Sequence, residues 1–170
     1  MAGNLVLIDS DTASTSASIS LTGIDSTYDV YQVIVNNLKC DTDVQDVFLR
    51  FTTSGSADTS SNYDIASKVL KADGSFTDNS GVNGSSLILG DIGTGTGEQL
   101  NAVLYLFNFS NASEYSFCTM ETSFYTSTPN NRGKQGGGVL TVAQATDGVH
   151  FYMGSGNIAS GEFKLYGLRK

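Results

Sequence analysis

The stretch that decides the fold is the last one, GSGNIASGEFKLYGLRK (Gly154–Lys170). Its first half consists of glycine and small polar residues. Its second half alternates, so that Phe163 and Leu165 share one face of an extended chain. Gly161 and Gly167 bracket the alternation, and a glycine beside a strand marks a turn, a bulge or a close backbone approach. We therefore predict that the chain closes on a paired sheet strand.

Period-two alternation recurs along the rest of the chain, and no convincing stretch has the spacing of an amphipathic helix. The segment YDVYQVIVNNLK at 28–39 is apolar on both faces, which is typical of a central strand. Turns rich in Gly, Asn, Asp and Ser separate such segments. We predict about ten strands, at residues 5–9, 16–24, 28–39, 44–53, 85–93, 99–110, 114–127, 139–145, 148–154 and 161–170.

Three other segments carry weaker signals. YDIASKVLKADG at 63–74 fits either a strand or a single helical turn. Asn111 and Ala112 lie between the two longest alternating runs and predict a tight hairpin. The glycine-rich segment TPNNRGKQGGG at 128–138 is interpreted as a long polar loop.

The composition favours one β domain spanning residues 1–170. A chain of 170 residues buries roughly 70% of the surface that it exposes when unfolded. Charged residues make up only 15% of it, with 19 Gly and one Pro, which suits many short strands. No helix separates the strands, so parallel crossovers are excluded. We predict an all-β fold, an antiparallel β-sandwich of jelly-roll-like type.

Charge and hydropathy bear on partners and location. The net charge of −8 disfavours direct binding to nucleic acid, because an acidic surface repels phosphates. No run of 18 apolar residues is present, so no membrane-spanning helix is expected. The start MAGNLVLIDSD lacks a basic segment and reaches Asp9 after four apolar residues, so no signal peptide is expected. We expect a protein made and assembled in cytoplasm.

Side chains that could carry chemistry are few. Cys40 and Cys118 have no metal-site spacing, and we favour two buried thiols over a disulfide or a reactive thiol. His150, the one histidine, sits in a strand-like segment without a nucleophile motif, so we interpret it as an ordinary surface or half-buried residue. GTGTGE at 93–98 lacks the Lys-Ser/Thr of a phosphate loop.

Aspartates cluster in CDTDVQD and DSD, which contain Asp41, Asp43, Asp46, Asp9 and Asp11. Carboxylates two residues apart can bind calcium, but neither segment has the glycine and terminal glutamate of an EF-hand loop. We interpret the first as a solvated turn, with calcium as the alternative. With four glutamates and no Trp for sugar stacking, a glycoside hydrolase is the minority hypothesis. No cofactor, no metal site and no enzymatic activity are predicted.

Three stretches resemble the small virion structural proteins of tailed phages, especially phages of cyanobacteria and other aquatic hosts. They are LVLIDSDTASTSASISLTGIDSTYDVYQVIVNNL (5–38), GGGVLTVAQATDGVHFYM (136–153) and the closing GSGNIASGEFKLYGL (154–168). The match spans nearly the whole chain and is looser from Cys40 to Asn101. Its motifs are turns and strand cores, so they carry no site chemistry.

The resemblance implies a non-enzymatic β-sandwich component of a phage particle. A fibre would need heptads or a repeating β-helix, and an acidic protein suits an outward position rather than packaged DNA. Together these favour a capsid decoration, or cement, protein on the capsid surface, bound to the major capsid protein and other virion proteins. A homo-oligomer is expected, and a trimer fits.

The candidate docking strand lies within residues 1–12 and is formed by Leu5, Val6, Leu7 and Ile8, which would add to the sheet edge of a neighbour. The alternative is that this segment is an edge strand of the protein's own sandwich. A second functional hypothesis is a receptor- or glycan-binding module at the tail or on a head fibre. In that case Tyr63, Tyr125 and Tyr152 would offer stacking faces.

Overall fold

The computed structural model describes residues 4–126 and 131–169, and within them every regular element is a strand. No helix with the length and apolarity needed to cross a bilayer occurs in these ranges. The predicted all-β antiparallel sandwich is confirmed. Its strands are β1 (Leu5–Ser16), β2 (Ser18–Thr22), β3 (Val30–Cys40), β4 (Gln45–Thr53), β5 (Ser56–Ala57), β6 (Tyr63–Lys71), β7 (Phe76–Gly84), β8 (Leu87–Ile92), β9 (Leu100–Phe107), β10 (Ser116–Tyr125), β11 (Asn131–Leu140), β12 (Gly148–Met153) and β13 (Ile158–Leu168).

The strands form two sheets. Sheet A has eight strands in the order β1-β13-β3-β9-β10-β11-β6-β7. Sheet B has the order β2-β12-β4-β5, with β8 also paired to β4. All pairings are antiparallel. The chain passes repeatedly between the sheets, and the alternating apolar residues of both inner faces form the core.

The closing strand is integral to sheet A, as predicted. β13 pairs with β1 on one side and β3 on the other. Phe163 and Leu165 are fully buried in the core. Gly161, with φ of +150°, lies where the register with β3 shifts. A Cβ at Gly167 would lie 2.3 Å from Cδ2 of Tyr28, so only glycine lets that ring pack on the strand.

Three strands lie where loops were predicted or nothing was assigned, namely β5, β7 and most of β11. The predicted loop at 128–138 is wrong for its described part, residues 131–138, and residues 128–130 lie outside the described ranges. Glycine occurs in β11 because neighbours approach closely. A Cβ at Gly136 would lie 2.3 Å from the Ala66 carbonyl oxygen, and one at Gly138 would lie 2.5 Å from Cδ2 of Leu87. The glycines therefore permit tight pairing and packing.

Other boundaries also differ from the predictions. The ambiguous segment at 63–74 is a strand, β6, over Tyr63–Lys71. The strand predicted at 139–145 ends at Leu140. The tight hairpin at Asn111 is wrong in its loop, because β9 and β10 pair as expected but are joined by eight residues, 108–115. Lys170 and Ser127, at the ends of two predicted strands, lie outside the described residues.

Two polar side chains of sheet A donate hydrogen bonds to backbone carbonyls of β8 in sheet B. Lys134, on β11, is 1% exposed, and its Nζ donates to the Ile88 carbonyl and to Asn79 Oδ1 at 2.9 Å. Thr122 Oγ1 donates to the Leu89 carbonyl at 3.0 Å. These bonds satisfy strand carbonyls at the boundary between the sheets, where an unpaired buried carbonyl would be costly.

Candidate functional site

The candidate docking residues form the start of β1, an edge strand of sheet A. Leu5, Val6 and Leu7 pair with β13, and a bulge follows at Ile8. Ile8 packs against the core, whereas Leu5 and Leu7 are 45% and 53% exposed. The structure therefore matches the alternative, an edge strand of the protein's own sheet. A docking role of the free side of that edge stays a prediction, and residues 1–3 lie outside the described ranges.

Most of the β1 edge is capped by its own side chains. Ser10 N donates to Asp9 Oδ1 at 2.8 Å and Thr12 N donates to Asp11 Oδ1 at 2.7 Å. Ser14 N donates to the Ser16 hydroxyl at 3.1 Å. Alternate residues of a strand direct their N–H groups to the same side. The outward N–H groups of Ser10, Thr12 and Ser14 are thus occupied, which protects this part of the edge from pairing with another chain.

The first residues of the edge lack such caps. Arg169 N donates to the Asn4 carbonyl at 3.3 Å, which places Asn4 and Val6 in the ladder with β13. By alternation, the N–H groups of Leu5 and Leu7 point away from β13. Within residues 4–126 and 131–169, no side chain caps either group. A short, apolar and uncapped edge therefore adjoins a long capped one.

His150 lies on the outer face of sheet B. Its Nδ1 is 2.8 Å from the Ser20 hydroxyl, a contact that the sequence did not predict. Burial, and then the positive charge of Arg50, lower the pKa of His150. The described residues give it no carboxylate partner of the kind that orients a catalytic histidine. His150 is half-buried, as predicted, and this Ser–His pair lacks the third member of a hydrolytic triad.

The aspartates do not converge. Asp41 accepts from the Asn157 backbone and side chain, which lowers the pKa of Asp41. Asp43 Oδ1 accepts from Thr94 N at 3.0 Å. Asp46 lies opposite Asp91 on β8. No group of three or more His, Cys, Asp or Glu in the described ranges is placed to hold a metal ion. Asp41, Asp43 and Asp46 are all exposed, as the interpretation of this segment as a solvated turn predicts.

Both cysteines are buried and free, which confirms the favoured interpretation. Burial raises the pKa of Cys118 to about 12 and also raises the pKa of Cys40. A thiol that stays protonated is a poor nucleophile and a poor metal ligand. Neither residue is therefore suited to redox or covalent chemistry in the folded state.

The three candidate stacking tyrosines differ in exposure. Tyr63 is wrong as a stacking face, because it is 1% exposed and its hydroxyl accepts from Phe51 N at 2.9 Å. The start of β6 directs its side chain into the core. Tyr152 is half-buried, stacks on Phe48 with ring centroids 5.2 Å apart and lies beneath the Arg50 guanidinium. Tyr125 is exposed.

The outer face of sheet A, which points away from sheet B, carries a set of residues that the sequence reading missed. A shallow depression of about 560 Å³ is lined by side chains of Val103, Tyr105, Thr119, Glu121 and Gln135. A neighbouring depression of about 460 Å³ shares three of these residues and extends toward β3 and β6. Alternation places Tyr105 opposite the buried Leu104 and Leu106, but only the strand register brings these residues together.

Glycines of β11 make this face concave. Gln135 projects outward, so Gly133 and Gly137 occupy outward positions on either side of it. Gly133 lines the depression that extends toward β3 and β6, where the missing side chain lowers the surface between β10 and β6, whereas Gly137 lines a separate depression further along β11. Gln135 Nε2 donates to Glu121 Oε1 at 3.3 Å across the strands. The result is a solvent-facing hollow lined by Tyr105, by the polar Glu121 and Gln135, and by apolar side chains that include Ile34 and Val103.

Comparison with known proteins identifies no family. No protein-family model matches the chain, and no curated protein matches it. Among solved structures, the CBM2 module of Lactobacillus casei BL23 phage J-1 evolved Dit is similar over 93% of this chain and 76% of that chain. The identity is 11% and the TM-score 0.26, a level of similarity that carries no argument about function.

Proposed function

We propose that this chain is a non-enzymatic structural protein of a tailed-phage particle, and that it decorates the capsid by docking the start of β1 onto the major capsid protein. The virion assignment follows the resemblance of three sequence stretches. The observation that supports docking is the uncapped apolar edge at Leu5 and Leu7 beside the capped edge that follows.

The physical mechanism is strand addition. A capsid strand laid along Leu5–Leu7 gains backbone hydrogen bonds, each contributing about 1 kcal/mol net, and covers two leucine side chains. One copy binds weakly through so short an edge. Many copies on a shell, or a homo-oligomer such as a trimer, convert weak contacts into strong attachment by raising the effective concentration.

Co-sedimentation with purified capsids tests this proposal. Leu5→Lys combined with Leu7→Lys places charges on the uncapped edge, and we expect it to abolish capsid binding while the fold is retained. The matched control is Ser10→Lys with Thr12→Lys, which adds the same charge to the capped part of the same strand and should bind normally. Equal binding by both variants would refute docking through this edge.

A second candidate function is a receptor- or glycan-binding module. The observation that favours it is the concave outer face of sheet A, with Tyr105 beside Glu121 and Gln135. Copy number on the virion separates the two functions. Hundreds of copies per particle indicate capsid decoration, and a handful indicates a tail or head-fibre module.

A further inference from the structure

We infer that the hollow on the outer face of sheet A binds a neutral oligosaccharide, with Tyr105 as the stacking surface and the Glu121–Gln135 pair as the hydroxyl-binding group. This inference rests on the second candidate function and gives it a site and a ligand class. Leu5 and Leu7 line neither depression, but Leu7 is directly opposed to Tyr166 on β13, so docking is tested by capsid binding and the hollow by oligosaccharide binding.

The first step of the argument is the aromatic row. Tyr166, Gln32, Tyr105 and Thr119 are directly opposed neighbours on β13, β3, β9 and β10, so their side chains share the outer face. Tyr105 is 37% exposed and Tyr166 is half-buried. The two tyrosines are two strands apart, which is roughly 10 Å at the usual strand spacing. Such a row suits a chain of sugar rings lying across the strands, each packing its C–H face on an aromatic side chain.

The second step is hydrogen bonding. Sugar hydroxyls both donate and accept, so a site for them needs both kinds of partner side by side. Glu121 offers a carboxylate, and Gln135 offers an amide N–H and a carbonyl, with 3.3 Å between the two groups. Thr119 adds a hydroxyl, and Asn101 adds a second amide at the neighbouring depression. These groups are exposed or half-buried and open to a ligand.

The third step is charge. Of the described residues that line the two depressions, Glu121 is the one charged group, and it is negative. The whole chain carries a net charge of −8. An anionic glycan would be repelled, and no cation in the lining would pair with its carboxylate or sulfate groups. A neutral oligosaccharide is therefore the ligand class that fits.

An independent observation comes from Gln32. This residue is 9% exposed between the two tyrosines, and its Oε1 has no hydrogen-bond partner among the described residues. A buried acceptor without a donor is costly, and such groups often mark a functional site. A sugar hydroxyl bound between the two tyrosines would supply the missing donor to Gln32 Oε1. Gln32→Leu is expected to weaken oligosaccharide binding without loss of the fold.

Amide chemical-shift mapping on the full, isotope-labelled chain tests the inference. The probes are cellohexaose, maltohexaose and chitohexaose, with hexagalacturonate as the anionic counter-probe. We expect at least one neutral probe to shift the amides of Thr119, Glu121 and Gln135 at millimolar concentration. Tyr105→Ala should weaken that binding about tenfold or more. Its matched control is Tyr125→Ala, which removes an exposed tyrosine of the same sheet outside the hollow and should bind normally.

The outcomes are distinguishable. Shifts confined to another surface, such as the Tyr152 region of sheet B, would overturn this site while leaving a glycan-binding function in place. Binding of hexagalacturonate alone would overturn the neutral ligand class. No amide shift with any of the four probes would overturn the inference. Capsid docking is decided separately, by the capsid binding of the Lys variants of β1.

Discussion

Lys134→Met is expected to change how stability depends on pH. Burial lowers the pKa of Lys134 from 10.5 to about 8, against the opposing effect of the Asp46 and Asp91 carboxylates. The unfolded chain keeps the ordinary value, so between these two pH values the folded protein binds fewer protons at this site. The free energy of unfolding contributed by Lys134 therefore rises as the pH rises through this window.

The magnitude follows from the two pKa values. A difference of 10.5 − 8 corresponds to about 3 kcal/mol in full, of which about 2 kcal/mol falls between pH 7 and pH 10. Cys118 and Cys40, whose pKa values burial raises, lower stability at alkaline pH in both proteins. Their effect cancels when the free energy of unfolding of Lys134→Met is subtracted from that of wild type at each pH.

The assay is urea unfolding followed by far-ultraviolet circular dichroism at pH 7, 8, 9 and 10. The stability of wild type minus that of Lys134→Met should increase by about 2 kcal/mol across this range. Lys68→Met is the control, because it removes the same charge from an exposed position on β6. A wild-type advantage that stays constant or shrinks with pH would show that Lys134 is not held in a desolvated site.

Further predictions concern packing, the thiols and the sheet edge. Gly136→Ala should lower the free energy of unfolding by about 3 kcal/mol in the same urea assay, because the added Cβ clashes with the Ala66 carbonyl oxygen. Gly133→Ala is the control and should be near neutral, because a Cβ there lies 3.6 Å from its nearest neighbour, the Thr122 carbonyl oxygen. Iodoacetamide should leave Cys40 and Cys118 unmodified in the native protein and alkylate both thiols in urea, because both are buried in the fold. Mass spectrometry measures the modification, and alkylation of the native protein would contradict their burial. Asp9→Ala with Asp11→Ala should uncap the β1 edge and give species larger than the wild-type form in analytical ultracentrifugation, while Asp73→Ala in an exposed turn should sediment like wild type.

The elements that sequence alone predicted are those with an apolar face. β12 and β13 alternate over most of their length because each lies inside a sheet and buries every second side chain, whereas β3 is apolar on both faces, as a central strand is. β7 has almost no buried side chain, since it forms the other edge of sheet A, so its sequence carries no period. β11 was predicted as a loop because glycine usually marks one, whereas here it allows close approach of β6 and Leu87.

For the candidate sites, too, the sequence predicts the strands but not which residues become neighbours. Leu5–Ile8 could be predicted as a strand, but its place at an edge and the caps that follow it depend on pairing with β13. Tyr105, Glu121 and Gln135 lie on three strands, and a shift of one residue in any register would send one of them to the core. Periodicity fixes the face within a strand, and it does not fix which residues become neighbours across strands.

The position of β13 has a consequence for how the protein is made. Leu5 pairs with Leu168, so β1 leaves the ribosome long before its partner in sheet A, β13, because β2 to β12 are synthesised in between. Throughout synthesis of the intervening strands, β1 and one side of β3 remain unpaired. Folding with such distant pairings is slow, and nascent chains on the same messenger RNA can exchange their β1 strands. Slower, cooler expression should therefore give a smaller share of strand-exchanged protein than rapid expression.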